Sequence, residues 1–184
     1  MRTPVCGGAP TGAPGMKGLS MDITRKTDYA LRMLSMLATD EAELLSVRTA
    51  AELGDVPYSF ARSIQHRLAQ AGIIESLRGV HGGMRLKLDP KQVSLCEIVE
   101  AVQGPIVVNE CAGPDGFCPR SGSCCYHPIW IGTQELVKSY LNSVTLYDVV
   151  HGQKFPSVDA KFSDPDRFVE YVGCGSLPGC CPSA

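Results

Sequence analysis

The chain has 184 residues and a formal net charge of −2 at pH 7, with 44% hydrophobic and 20% charged residues. This composition allows a buried core and excludes wholesale disorder, and the balanced charge excludes a uniformly basic polymer-binding protein without excluding a local basic face. No stretch reaches the roughly 18 apolar residues that a membrane span needs, and the first residues lack a signal-peptide core, so we expect a cytoplasmic protein with no membrane partner.

The two ends of the chain differ from its middle. Residues 1–20 are rich in Gly, Pro and Ala and lack a hydrophobic period, which predicts a flexible N-terminal arm. Residues 153–184 have a similar composition and predict a disordered, cysteine-containing tail. The folded domain is therefore expected over 21–152.

The first part of this domain has the pattern of a helix-turn-helix. Apolar residues at helical spacing predict a helix from Thr24 to Ala38, capped by Thr24. Two further helices, from Ser46 to Leu53 and from Ser59 to Ala71, flank a short turn. The side of the last helix that we expect to be buried carries Phe60, Ile64, Leu68 and Ala71.

The period then changes from helix to strand. Residues 84–88 alternate between apolar and basic side chains, and Ile73 to Leu77 is the expected partner strand. The glycine-rich segment from Arg78 to Gly83 forms the tip of the predicted hairpin. A helix-turn-helix followed by such a hairpin is a winged helix, so the predicted fold class is mainly α with a small β-wing.

The last part of the domain is again helical. Residues 95–102 predict a short helix, and apolar residues repeating every three or four positions predict a long amphipathic helix over about 129–149. The apolar stripe of this second helix is too extensive for a small domain to cover. We therefore expect it to pair with its twin in a homodimer, which would place two recognition helices on palindromic DNA. Packing of the stripe on its own domain is the alternative.

Basic residues concentrate in the predicted recognition helix and wing. Between residues 58 and 88 the sequence has five Lys or Arg residues and a single acidic residue, Glu75. A helix fits the major groove of double-stranded DNA, and the hairpin tip can reach the adjacent minor groove. The alternative is a solvated face on a protein-binding domain. The candidate DNA-binding residues are Ser59, Arg62, Ser63, His66, Arg67, Arg78, His81 and Gly82.

Nine cysteines are the most distinctive feature of the composition. A reducing cytoplasm disfavours disulfides, so metal or redox chemistry is the leading interpretation. Cys111, Cys118 and Cys124 are separated by six and five residues, in a segment whose glycines and prolines break helices. Such a loop can wrap thiolates, the ligands of iron–sulfur clusters and structural zinc, around one centre. The spacing is wider than in usual zinc knuckles and favours a cluster; zinc, a disulfide switch and inert thiols remain alternatives.

The fourth ligand of such a cluster is open. His127 lies three residues after Cys124 and is the candidate by proximity, while Asp28 is a more distant alternative that otherwise reads as a surface carboxylate. Cys125 is interpreted as a packed or solvent-facing thiol, and Cys96 as a core residue. In the tail, Cys174, Cys180 and Cys181 repeat the spacing of 118, 124 and 125, and a reactive disordered tail is favoured over a second metal site.

Three stretches of sequence resemble the Rrf-two family of bacterial winged-helix transcription regulators. They are Thr27–Arg32 in the first helix, Arg78–Leu86 in the wing and Ser143–Leu146 near the end of the domain. The resemblance runs from Met21 to about Val150 and implies a homodimer whose cluster state controls DNA affinity. It also implies that Cys111, Cys118 and Cys124 hold the cluster.

Within the family, some members add a histidine at the position of His127 to a [2Fe-2S] cluster. Others add a carboxylate at the position of Asp28, from across the dimer, to a [4Fe-4S] cluster. Because this sequence has both residues, the cluster type stays open. We expect a non-enzymatic repressor that senses oxygen, nitric oxide or iron; the alternatives are a cluster-free thiol-switch regulator and a small iron–sulfur electron carrier.

Overall fold

The computed structural model describes residues 22–39, 44–77, 79, 82–114, 116, 118–152 and 155. The predicted arm over 1–20, nearly all of the predicted tail over 153–184, and the wing residues Arg78 and His81 lie outside the described residues. Within the described part of the chain, no helix is both long enough and apolar enough to cross a membrane.

The helix-turn-helix forms as predicted. Helices α1 (Arg25–Leu37), α2 (Val47–Leu53) and α3 (Tyr58–Gln70) pack together. The side chains of Thr24 and Ser46 accept hydrogen bonds from backbone N–H groups three residues later, which caps α1 and α2. Helix α3 begins after Pro57 without a side-chain cap.

The buried face of α3 differs in part from the prediction. Ile64 and Leu68 are buried as expected, but Phe60 is 44% exposed and Ala71 is exposed as well. Ala61 takes the inner position at the start of the helix, with no exposed surface. The ring of Phe60 instead packs edge-on against Tyr29 of α1, with the ring centroids 5.7 Å apart. Phe60 is therefore partly covered by Tyr29 at the edge of the domain and does not enter the core.

The wing is a two-stranded antiparallel sheet. Strands β1 (Ile74–Leu77) and β2 (Gly83–Leu86) pair with Ile74 opposite Leu86 and Leu77 opposite Gly83. On its other side β2 forms a bridge with Leu45, whose N–H and C=O both bond to the backbone of Met84 at 3.0 and 2.8 Å. The observed strand β2 begins one residue before the predicted strand at 84–88 and ends two residues before its predicted end.

The final part of the fold contains helix α4 (Leu95–Gln103), a 3₁₀ turn (Glu110–Ala112), helix α5 (His127–Asn142) and helix α6 (Leu146–Val150). The prediction of one helix over about 129–149 is wrong, because two helices occupy this region. Residues 143–145 leave the helix and pair with the segment before α4: the Leu95 N–H bonds to the Val144 carbonyl, and the Leu146 N–H bonds to the Val93 carbonyl. Thr145 then starts α6 with a capping box.

One core joins most of these elements. Helices α1 to α4, the wing and α6 share it, and its largest fully buried side chains include Met33, Leu34, Ile64, Leu68, Ile74, Met84, Ile98 and Leu146. Helix α5 packs on a second, smaller cluster, in which Val137 and Leu141 cover Cys96, Val99 and Ile106. The ion pair between Lys138 and Glu100, at 2.9 Å, also joins α5 to α4.

Gly83 should be irreplaceable at the join between the wing and the helical core. A Cβ atom placed on Gly83 would lie 2.7 Å from the Leu45 carbonyl oxygen, so the backbones would have to separate. We expect Gly83→Ala to lower the free energy of unfolding by about 1–3 kcal/mol. Chemical denaturation followed by circular dichroism measures this. The control is Gly122→Ala, where a Cβ meets nothing within 4 Å, and it should change stability by less than about 1 kcal/mol. Equal stability of the two variants would contradict the assigned pairing.

Candidate metal centre and nucleic-acid interface

The three cysteines singled out by their spacing line one cleft. This cleft has a volume of about 460 Å³ and lies beside the start of α5. Each of the three thiols is partly exposed. The cleft is lined by Asn109, Glu110, Cys111, Cys118, Pro119, Cys124, Tyr126 and Trp130.

Tight turns bring the three cysteines together. Cys111 lies in the 3₁₀ turn, and the chain then doubles back at Gly116, whose N–H bonds to the Gly113 carbonyl at 3.0 Å. A Cβ on Gly116 would collide with the Glu110 carbonyl oxygen, so only glycine allows this close crossing. The loop ends where the His127 N–H bonds to the Cys124 carbonyl at 3.2 Å, which places Cys124 at the N-terminus of α5.

The two candidate fourth ligands have different surroundings. Among the described residues, Nδ1 of His127 is buried and lacks a hydrogen-bond partner. A buried polar nitrogen without a partner costs about 1–3 kcal/mol, so its position needs an explanation. Asp28 is instead half-exposed and forms an ion pair with Arg32 at 2.8 Å within α1. His127 does not line the cleft, although it directly follows Tyr126, which does.

The thiols of the described residues do not converge on one point. In that part of the chain, no three Cys, His, Asp or Glu side chains are arranged to hold a single metal ion.

Cys96 is 4% exposed in the small cluster under α5, which confirms its prediction as a core residue. Burial, and then the Glu100 carboxylate, raise the pKa of the Cys96 thiol, so this thiol stays protonated near neutral pH.

Gln134 is a residue near the cleft that sequence reasoning missed. It is the one side chain of α5 that the structure buries within the described residues, at 8% exposure. Its amide accepts a hydrogen bond from the Val108 N–H at 3.3 Å and donates one to the Ala112 carbonyl at 3.0 Å. The signal in the sequence was a polar residue on the inner side of an apolar helix.

The candidate DNA-binding residues of α3 share one exposed face. Ser59, Arg62, Ser63, His66 and Arg67 are all exposed, while Ile64 and Leu68 point into the core. The helix therefore presents its polar side to solvent along its whole length.

Lys26 adds a positive charge to this face from outside the helix. Its Nζ atom donates a hydrogen bond to the Ser63 hydroxyl at 2.8 Å. Partial burial, and then the nearby positive charge of Arg67, lower the pKa of the Lys26 ammonium group. Sequence reasoning missed this residue because Lys26 lies more than 30 positions before α3.

The charge of the wing is smaller than the sequence count suggests. Arg85 forms an ion pair with Glu75 directly across the two strands, so the two charges offset one another. At the described part of the tip, Gly79 has a φ of 119° and its carbonyl accepts a hydrogen bond from the Gly82 N–H at 2.9 Å. Such a φ favours glycine and gives the hairpin its sharp turn.

A helix-turn-helix with a β-hairpin wing and a partly cationic second helix defines the winged-helix class that transcription regulators use. The Rrf2 family, described as "Iron-dependent Transcriptional regulator", matches residues 23–152. The chain belongs to this family. The predicted resemblance and the winged-helix fold class are thereby confirmed.

Three known proteins are similar to most of the chain. The HTH-type transcriptional repressor NsrR of Streptomyces coelicolor is 36% identical over 132 residues, covering 71% of this chain and 88% of that protein. The HTH-type transcriptional regulator IscR of Escherichia coli is 27% identical over 142 residues, covering 77% and 87%. The solved structure of CymR, the global cysteine regulator of B. subtilis, matches with a TM-score of 0.57 at 25% identity, covering 72% of this chain and 98% of that chain. The relatives are transcription regulators, so the chain is not an enzyme, and the electron-carrier alternative is not supported.

Proposed function

We propose that this chain is a cytoplasmic, DNA-binding transcriptional repressor whose DNA affinity is set by an iron–sulfur cluster held in the cysteine cleft. The observation that carries the proposal is the position of Cys111, Cys118 and Cys124 around one cleft. The named similarity to the repressor NsrR and the regulator IscR supports it.

The donor set fits a cluster. Cysteine thiolates are the usual ligands of iron–sulfur clusters, and a cluster distributes them over two or more iron atoms. Such thiolates stand around a volume, whereas a single zinc ion requires four ligands that converge on one point at about 2.0–2.3 Å. A bound cluster would supply a centre that reacts with oxygen or nitric oxide. The chain itself supplies the thiolates and the cleft wall, to which Tyr126 and Trp130 contribute.

His127 is our choice for the fourth ligand, with Asp28 as the alternative. The buried Nδ1 of His127 has no partner in the described part of the chain, and a metal bond would satisfy it once the ring, which does not line the cleft, turned toward it. Asp28 would have to leave its ion pair with Arg32 before it could bind a cluster. The family resemblance implies that a histidine ligand favours a [2Fe-2S] cluster. It also implies that a carboxylate from a partner subunit favours a [4Fe-4S] cluster.

Double-stranded DNA is the proposed partner of the α3 face. We propose that Ser59, Arg62 and Ser63, near the N-terminal end of α3, meet base edges in the major groove. His66 and Arg67 continue the same exposed face. The wing residues Arg78, His81 and Gly82 are proposed to contact the adjacent minor groove or its phosphates.

A second copy of the chain is the proposed partner of α5. This helix and the residue before it expose large apolar side chains, namely Tyr126 (61%), Ile129 (46%), Ile131 (37%) and Leu136 (39%). Ile129 and Leu136 are seven residues apart and share one side of the helix, and exposed apolar side chains grouped on one face typically mark a protein–protein interface. A two-fold dimer would cover it and place two α3 helices on the half-sites of a palindrome, about one DNA turn apart.

Cys118→Ala tests the cluster. The variant should lose iron, acid-labile sulfide and visible absorption almost completely after anaerobic purification, because one of three thiolates is missing. The difference in DNA affinity between cluster-loaded and cluster-free preparations should disappear as well. The matched control is Cys125→Ala, which removes a thiol seven residues further on that does not line the cleft, and it should keep the chromophore.

Two outcomes of this comparison would contradict the proposal, and a further pair of variants tests the fourth ligand. A wild-type protein without iron and sulfide, whose DNA affinity changes on oxidation, would identify a cluster-free thiol switch; CymR, a cysteine regulator of the same fold, keeps that alternative open. Loss of the chromophore in Cys125→Ala but not in Cys118→Ala would contradict the proposed ligands. Comparison of His127→Ala with Asp28→Ala identifies the fourth ligand.

Lys26→Ala tests the α3 face. Removing a lysine that contacts DNA phosphate weakens binding to all sequences and lowers the slope of log affinity against log salt concentration by about 0.9 for each lysine. For a dimer, which carries two copies of Lys26, this slope should therefore fall by about 1.8. Fluorescence anisotropy on a mixed-sequence duplex measures it. Lys91→Ala is the control, since its Nζ lies 4.6 Å from the Tyr147 ring, beside α6. Equal slopes for the two variants would contradict the contact.

Leu136→Glu tests the dimer. A carboxylate in the middle of an apolar interface is desolvated, so we expect the dimer dissociation constant to rise about 30-fold or more. Sedimentation equilibrium measures it. Glu135→Ala, at the neighbouring exposed position, should leave the dimer intact. A Leu136→Glu variant that stays dimeric at the same concentrations would rule out this face.

A further inference from the structure

The side chain of Gln134 connects the start of the cysteine loop to helix α5. Its Oε1 atom accepts a hydrogen bond from the Val108 N–H at 3.3 Å, and its Nε2 atom donates one to the Ala112 carbonyl at 3.0 Å. Val108 and Ala112 lie on either side of Cys111, the first cysteine of the cleft. One amide group therefore holds both ends of the segment that contains this thiol.

The bond to the Ala112 carbonyl is buried, and the bond from the Val108 N–H is partly buried. Gln134 is 8% exposed, Ala112 is 7% exposed and Val107, next to Val108, is 1% exposed. The buried bond to Ala112 is costly to break, because the separated groups would find no water to replace it. When the segment around Cys111 moves, it must either break both bonds or carry α5 with it.

Only an amide side chain suits this position. The group must accept from one backbone N–H and donate to one backbone carbonyl at the same time, and among common side chains of this length glutamine does both without a charge. Methionine has nearly the same shape but would leave both backbone groups without partners.

We propose that Gln134 is the positioning residue through which the state of the cysteine cleft reaches helix α5 and, through the dimer, the spacing of the recognition helices. This inference rests on the proposed function. It assigns to a residue outside the ligand set the task of transmitting the position of Cys111. Gln134 does not bind the cluster and does not touch DNA.

The test compares Gln134→Met with wild type in two independent measurements. The first is the DNA dissociation constant of the cluster-loaded and the cluster-free protein, on a duplex that wild type enriches from a random library. Wild type should show a ratio between about 5 and 150, and the variant a ratio within about twofold of 1, with iron and sulfide content unchanged. The second is amide hydrogen exchange at Val108 in the cluster-free protein, which should become at least about tenfold faster in the variant.

Two further variants complete the design. Glu135→Gln, one position along the helix and exposed, should keep the wild-type ratio and the wild-type exchange. Gln134→Glu keeps the size and the acceptor for Val108, but places a carboxylate oxygen against the Ala112 carbonyl. It should keep slow exchange at Val108 and give a ratio between those of Gln134→Met and wild type, and it serves alone if the Met variant does not fold.

The outcomes separate this inference from the proposed function. If loaded and cluster-free wild type bind DNA equally, the proposed function is wrong and the role of Gln134 falls with it. If the DNA dissociation constant of wild type differs between the loaded and the cluster-free form, and the Gln134 variants show the same ratio, only the positioning role is wrong. If the Met variant loses the cluster itself, Gln134 is a structural support of the site and the proposed transmission is contradicted.

Discussion

The attachment of helix α5 to its own domain, through a few contacts on one side of the helix, connects the cysteine cleft to the proposed dimer interface. Val137 and Leu141 cover a small cluster above α4, Lys138 pairs with Glu100, and the amide of Gln134 holds the segment around Cys111. The other apolar side chains of the helix are left partly or largely exposed. This attachment underlies both proposals: a second copy of the chain would cover the outer face of α5, and the position of the helix would respond to the loop that is bonded to its inner face.

Local sequence signals predicted the elements of the fold well, because their causes are local. Thr24 and Ser46 are helix caps, and glycines end or sharpen turns. The prediction failed where distant segments compete with the local pattern. The apolar period over 129–149 is real, but residues 143–145 pair with the backbone before α4, and Thr145 starts a new helix. Phe60 likewise packs on Tyr29 of another helix, which leaves the inner position to Ala61.

In the candidate site, too, the residues with a local sequence signal were predictable and the contacts between distant segments were not. Spacing and composition were enough to group Cys111, Cys118 and Cys124, and the structure brings the three around one cleft. The contacts that join this cleft and the α3 face to the rest of the molecule were not predictable, since they connect residues that are far apart in sequence. Lys26 reaches Ser63 from α1, Gln134 reaches back to residues 108 and 112, and Glu75 offsets Arg85 only once the strands pair.

Control of DNA binding by an iron–sulfur cluster can be tested by the DNA affinity of one anaerobic preparation, measured before and after its iron and sulfide are removed. The duplexes are enriched from a random library by each of the two forms, so that neither form is favoured in advance. Control of DNA binding by the cleft predicts a change of about 5- to 150-fold between the forms, in either direction. Equal affinity of the two forms, or an anaerobic preparation without bound iron and sulfide, would contradict it.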